Sequence, residues 1–462
     1  MPAHRFFLVT ALIFGSLYAL VIPPFQSPDE FNHFYRSWQI TEGGITGKKT
    51  MDNRLGDSLP KSLLSISTPF TQLPFHFEQR IKTSTIFSTL QIPLEGNERT
   101  FIDFSNTSVY APTAYVSQSI AIFLFKKLGF TPLSIFYLSR LFTLLLWTSI
   151  VYASVKIIPA HRWLFAFLAL LPASLFINAS INADVFTNAL SFLTISLFVK
   201  KFFKKNKITK IEILILLLTT TLISLNKIAY LPLSFLVFLI PKENFSSAQQ
   251  KYIFSCFLLI INLAVVVWWS KIIAPLYIRF ENYNPIYRVG QQLNEGVDPQ
   301  AQLAFIWHNP LIYTQIMIIS LVKTLPHTLI HYVGKFGWEK NYLPLALILP
   351  LFLMLILRGV NSNESNFVVI PKKLKYKMTL IAIALTASLA TAMYLLWCPI
   401  GSNFIGNLSG KYFIPIFPLF FLSLPSFDLK KYCFFTTEKG IAACLWLTLG
   451  YGLWQVWQRY YY

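Results

Sequence analysis

Charge is what this sequence has least of. Of its 462 residues only 13% are Asp, Glu, Lys or Arg, about half the share a soluble chain carries. Cysteine is scarce too. Cys256, Cys398, Cys433 and Cys444 are scattered at spacings that make neither a metal cluster nor a disulfide framework. No Gly-rich phosphate-binding motif occurs, which argues against a nucleotide-sugar donor bound in the soluble manner. Short segments of alternating hydrophobicity, the mark of an outer-membrane barrel, are missing. So are internal repeats, low-complexity tracts and the half-to-half symmetry common in transporters.

What is there is apolar. Hydrophobic residues make up 55% of the chain and aromatic residues 16%, and the mean hydropathy is +0.54. Apolar runs of roughly 16 to 24 residues recur, enough to cross a hydrocarbon core of about 30 Å. The expected fold is all-α: a polytopic membrane protein, one membrane domain over 1–462, with about 11 to 13 transmembrane helices. The spans fall at 6–22, 134–157, 163–177, 185–199, 211–225, 230–240, 253–274, 343–357, 378–397, 413–424 and 441–457. The first follows His4 and Arg5 but lacks a small-x-small cleavage site, so it reads as an uncleaved span.

The formal net charge is +20. Its lysines bunch in the loops 200–210, 241–251, 358–377 and 428–439. With the N-terminus in the cytoplasm, the span order puts all four loops on the cytoplasmic side, as the positive-inside bias requires. The basic charge therefore calls for no nucleic-acid partner. The partner it implies is the lipid bilayer, and the expected location is the cytoplasmic membrane. Two stretches bear on this parity. Residues 115–127 are apolar but short and end in Lys126-Lys127, which predicts a helix in the outer interface. Residues 310–333 carry Lys323, His327 and His331 and must cross twice or not at all, which predicts a re-entrant or surface helix pair. Two long segments then lie outside: 23–131, a first extracytoplasmic loop with interfacial helices, and 275–342. Loops of such length usually carry function.

The first loop opens PPFQSPDEFNHFYRSWQ. Ser27, Pro28 and Glu30 have the form of an N-cap, a first helical position and a capping-box acid. Helical spacing puts Phe31, Phe34, Tyr35 and Trp38 on one face, and Asp29, His33 and Arg36 on the other. Capping accounts for Glu30 but for neither His33 nor Arg36. Further polar groups sit at the outer ends of spans. Asn178, Asn182 and Asp184 lie in INASINADVFTNA, where helix capping is the alternative reading. Arg140 in FYLSRLF and Lys227 in LNKIAY are costly cations near apolar runs, either functional or snorkelling to the interface. Asn403, Lys411 and Tyr412 belong to WCPIGSNFIGNLSGKYFIP, whose glycines allow close approach of backbone to a ligand. Trp338 and Glu339 suit either a sugar platform or an interface anchor. His327 and His331 stand one turn apart with no third ligand at a recognisable spacing, so a simple interfacial helix is the better reading.

Together, PPFQSPDEFNHFYRSWQI, NTSVYAPTAYVSQ, SINADVFTN, LNKIAYLPL, GVDPQAQ, VGKFGWEKNYLP and GSNFIGNLSGKYFIPIFPL resemble, in order and spacing, the bacterial Domain of Unknown Function 2142 family. That family looks like a branch of the membrane-embedded C-type glycosyltransferases. The resemblance implies a polyprenyl-phosphate-linked sugar as donor, a glycan or lipid acceptor, and cell-envelope polysaccharide assembly on the extracytoplasmic face. It implies Asp29, with Glu30, as the acid after the first span, and Asp184 as the second outer acid. Candidate substrate contacts are His33, Arg36, Tyr110, Arg140, Asn182, Lys227, Trp338, Asn403, Lys411 and Tyr412. The late motif, usually Gly-Arg-Tyr, is here Gly410-Lys411-Tyr412, which keeps the charge and loses the bidentate fork. No metal ligand is assigned: paired acids would admit a divalent cation, whereas one acid among cations needs none. Two other readings are a transporter or flippase of lipid-linked glycan, with charges deep in its spans, and a non-catalytic scaffold, with no shared pocket.

Overall fold

The computed structural model describes residues 1–204, 206–283, 295–338, 341–361, 369–427 and 437–462. Glu339, Cys433, most of the 428–439 loop and part of the 358–377 loop lie outside the described residues.

The chain is an all-α polytopic membrane protein. Among the described residues six helices are long and apolar enough to cross a membrane: Ala3–Val21, Pro132–Ile157, Asp184–Phe203, Ala248–Asn282 (regular through Ile273), Pro310–Gly334 and Lys372–Trp397. Several other expected spans are shorter or broken, for local reasons. The 163–177 run becomes Arg162–Ala169 followed by Pro172–Asn178. Pro172 has no N–H to continue a helix and holds Leu171 extended, at ψ 140°. The 230–240 run is a 3-10 helix, Ile228–Leu239, with Pro232 inside it. The 413–424 run divides into Gly410–Phe413 and Phe417–Ser423. Hydropathy sees none of these breaks, because the residues at them, Leu170 to Pro172, Pro232 and Ile414 to Ile416, carry no polar side chain.

The two ends of the bundle differ in chemistry. At one end the lysine-rich turns are tied together. The Asn244 side-chain amide donates to the carbonyls of Lys201, Lys204 and Asn206 at 3.2, 2.8 and 3.0 Å. Lys201 pairs with Glu212 at 2.5 Å, and Glu212 closes a capping box with Thr209. The other end carries the 22–131 segment. It contains what the all-helical expectation did not include: a three-stranded antiparallel sheet, β1 (Lys48–Lys49), β2 (Leu55–Pro60) and β3 (Arg99–Asp103), in that order. Gly56 makes β2 fit, since a Cβ there would stand 1.8 Å from the Ile102 carbonyl oxygen. Strands of two to six residues are too short to show a period in the sequence.

Helix Val116–Lys127 has 12 residues, about 18 Å. It packs on Pro132–Ile157 and Glu30–Thr41. Residues 310–333 behave differently from the expected helix pair. They form one uninterrupted helix of 25 residues, Pro310–Gly334. Its start meets the Thr391 hydroxyl, at 2.6 Å from Tyr313 Oη. Near its end the Thr328 hydroxyl donates to the Leu408 carbonyl at 2.9 Å, and just beyond it Phe336 stacks on Tyr18. These partners all sit toward the end that carries 22–131, so the helix runs along that end.

Candidate functional site

At the end opposite the lysine turns, a cavity of about 270 Å³ opens between the start of Glu30–Thr41, the Asn106–Ala111 stretch, the turns at 182–184 and 225–229, and Gly410–Phe413. Helices Ala248–Ile273 and Lys372–Trp397 close its other side. The fold brings into this one space Asp29, His33, Tyr110, Asn182, Asp184, Lys227, Lys411 and Tyr412, drawn from five separate sequence segments.

Asp29 stands immediately before its helix with φ 62°, the left-handed conformation uncommon for any residue with a Cβ. The regular helix begins at Glu30, two residues later than a Ser27 cap predicts. Only half of the expected box forms: the Ser27 N–H donates to Glu30 Oε2 at 3.3 Å, while the Ser27 hydroxyl is buried with no hydrogen-bond partner among the described residues. Asp29 Oδ1 accepts from the Asn106 amide at 3.0 Å, and Asn106 Oδ1 accepts from Asn32 at 2.6 Å. Burial raises the Asp29 pKa, and the nearby Lys411 charge only partly offsets this. The result is a carboxylate oriented by an amide chain and more basic than usual, on a strained backbone of the kind that collects at active sites.

Asp184 opens the helix Asp184–Phe203, and its N–H donates to Asn182 Oδ1 at 2.9 Å. Its carboxylate is paired with the Lys227 ammonium. Lys227 is gripped further by aromatic faces, 4.9 Å from the Tyr412 ring centre and 5.9 Å from that of Tyr110. Lys411 lies 5.2 Å over Tyr412 and has no carboxylate within ion-pair distance among the described residues. Burial alone favours its neutral amine, but Tyr412, Asp184 and Asp29 together hold its pKa above the ordinary lysine value. It is a protonated cation facing open space. Burial holds His33 to a pKa of about 3, so its imidazole is neutral. The far side of the cavity is apolar, with Val266, Trp269 and Ile273 facing Leu389, Met393 and Trp397.

Five candidates lie elsewhere. Glu30 and Arg140, both fully buried, are joined at 2.5 and 2.8 Å. The Arg140 guanidinium also donates to the carbonyls of Ala19, Ile22 and Pro23 at 2.9, 2.7 and 3.1 Å, which satisfies all five of its donors. Glu30 Oε1 accepts in addition from the Ile181 N–H at 2.9 Å. This pair ties the first helix, the second helix and the 181 turn together behind the cavity. Arg36 donates to the carbonyls of Ile45 and Tyr110 at 2.7 and 2.9 Å, and so positions Tyr110 from outside. Trp338 packs on Phe75, 4.8 Å between ring centres, and does not line the cavity. Asn403 is exposed on the loop after Lys372–Trp397. Conversely, Asn106, Trp269 and Trp397 line the site without having been singled out. Asn106 falls within the NTSVYAP motif, in the single helical turn Ser105–Ser108, but a neutral amide carries no signal until its partner Asp29 is placed.

A divalent cation does not fit this donor set. The Asp184 carboxylate is closed by Lys227, Asp29 Oδ1 by Asn106, and two ammonium groups lie alongside. Among the described residues no three His, Cys, Asp or Glu side chains converge as metal ligands. His327 and His331 do touch, 3.6 Å between ring centres, but among the described residues no third His, Cys, Asp or Glu joins them as a metal ligand.

No curated protein and no solved structure matches this chain. The family described as "Predicted membrane protein (DUF2142)" does, over residues 12–420, most of the chain, and with the polytopic helical fold now in place, the chain belongs to that family.

Proposed function

We propose that the cavity is the active site of a membrane glycosyltransferase that moves a sugar from a polyprenyl-phosphate carrier to a hydroxyl of a cell-envelope glycan or lipid. The observation that carries this reading is the meeting, in one pocket, of a basic carboxylate, a cation with no carboxylate partner among the described residues and an apolar wall. The acceptor hydroxyl gives its proton to Asp29 as its oxygen attacks the anomeric carbon. The bond from that carbon to the carrier phosphate oxygen breaks, and the electron pair leaves on the phosphate. Lys411 stands where that charge grows, and Lys227, steadied by Asp184, supplies a second positive field. The wall of Trp269, Ile273, Leu389 and Met393 suits the first isoprene units of the carrier. The lysine turns at the opposite end of the bundle support an extracytoplasmic placement, because basic loops stay in the cytoplasm.

The test is transfer in isolated membranes. Labelled polyprenyl-phosphate sugar should lose its sugar to an envelope acceptor only when this protein is present, and mass spectrometry of surface polysaccharide from a deletion strain should show the missing residue. Movement of labelled lipid across reconstituted vesicles with no covalent change would establish a flippase instead. Within the transfer assay, Lys411→Ala should lower the rate by about 10²-fold. Lys411→Arg should keep most of it, since the charge is retained. Equal loss in both would mean that Lys411 serves packing rather than the leaving phosphate.

A further inference from the structure

Behind His33 stands Tyr115, whose hydroxyl lies 2.8 Å from Nδ1. Tyr115 is fully buried, and its oxygen has no other hydrogen-bond partner among the described residues. A phenol carries one proton, and a buried O–H that donates to nothing is costly. The hydroxyl therefore donates to Nδ1, which leaves the ring proton on Nε2. Nε2 has no protein partner among the described residues and is not sealed off, while His33 lines the cavity. Its N–H is thus offered to whatever occupies that space. One helical turn earlier, Asp29 presents the complement. Its carbonyl accepts the His33 backbone N–H at 3.0 Å, its Oδ1 is held by Asn106, and Oδ2 remains as an acceptor into the same cavity.

We infer that Asp29 and His33 form a two-point receptor for a vicinal diol, with Asp29 accepting from one hydroxyl, His33 Nε2–H donating to the adjacent oxygen, and Tyr115 fixing the tautomer as a positioning residue. Assigning that diol to the acceptor glycan rests on the glycosyl-transfer reading; the receptor itself does not. An acceptor with a lone hydroxyl or an amine makes only one of the two contacts. The groups facing His33 are Asp29, Asp184, Lys227, Lys411, Tyr110 and Tyr115. Burial outweighs the charges among them, so the donor stays neutral across physiological pH.

Nitrogen-15 NMR of histidine-labelled full-length protein in lipid nanodiscs tests this, with His33→Gln identifying the resonance. The expected spectrum is a neutral Nε2–H tautomer that does not titrate between about pH 5 and 8. Tyr115→Phe keeps the ring and should release a mixture of tautomers. An Nδ1–H tautomer, titration in that range, or no change in Tyr115→Phe would overturn the assignment. Cyclohexane-1,2-diol should then perturb the His33 signal, with cyclohexanol about tenfold weaker. Asp29→Gly, which suits the left-handed backbone, should weaken the diol to the level of cyclohexanol. Equal binding of the two alcohols to the unaltered protein would refute two-point recognition. None of these readouts needs sugar transfer, so diol binding without transfer would sink only the enzymatic reading, and transfer without diol preference only this one.

Discussion

Asp29→Asn is expected to cut sugar transfer by about 10²- to 10⁴-fold, the range over which a positioned base acts, while the protein accumulates and folds normally. Three observations make this variant unusually clean. Asparagine has the same shape, and it tolerates the left-handed backbone at φ 62° better than other residues with a side chain. It can still accept from Asn106. It also removes a charge that the fold bears at a cost. Because burial raises the Asp29 pKa above 3.8, the stabilising protonated form is present at low pH and is lost as pH rises through the raised pKa. At neutral pH the ionised carboxylate therefore destabilises the folded state, and the amide should leave the melting temperature unchanged or slightly higher. The same shift fixes the acid limb of the rate profile. Transfer should fall as pH drops through a pKa above that of an ordinary carboxylate. Full transfer by Asp29→Asn would remove Asp29 from the chemistry, and a collapsed melting temperature would make it structural.

Arg140→Ala should do the reverse, destroying the fold before any chemistry can be assayed. The substitution strands the buried Glu30 carboxylate and leaves three carbonyls at the end of Ala3–Val21 without their donor. Breaking one side of a buried ion pair costs about 3–5 kcal/mol, a large part of a typical net stability. Arg140→Lys should not rescue it, because one ammonium cannot reproduce a planar fork of five donors. The measurement is thermal unfolding in detergent, alongside yield in membranes. Normal stability with abolished transfer in Arg140→Ala would move the arginine from scaffold to chemistry.

The contrast between these two positions shows how far sequence reasoning reached. Asp29 and Glu30 are neighbours of the same charge, just past the same span. Nothing in their spacing says that one turns into the cavity and the other back onto Arg140, 110 positions away in sequence. The same holds for cations: Arg140, Lys227 and Lys411 each read as a charge at a span end, yet one is saturated by Glu30 and three backbone carbonyls, one is paired with Asp184 and one has no carboxylate partner among the described residues. His33 read as a polar residue on a helix face, but its donor nitrogen is set by Tyr115, 82 positions later.

Composition and pattern alone determined that this chain is a helical membrane protein, where its lysine turns gather and which segment carries the polar clusters. Those properties follow from the cost of exposing apolar or charged surface to the wrong solvent, a cost paid residue by residue and so readable along a line. Which carboxylate remains basic, which cation lacks a carboxylate partner among the described residues and where the long Pro310–Gly334 helix lies were decided only by the tertiary structure. Hydrogen bonds and ion pairs depend on ångström distances between side chains that the sequence keeps far apart.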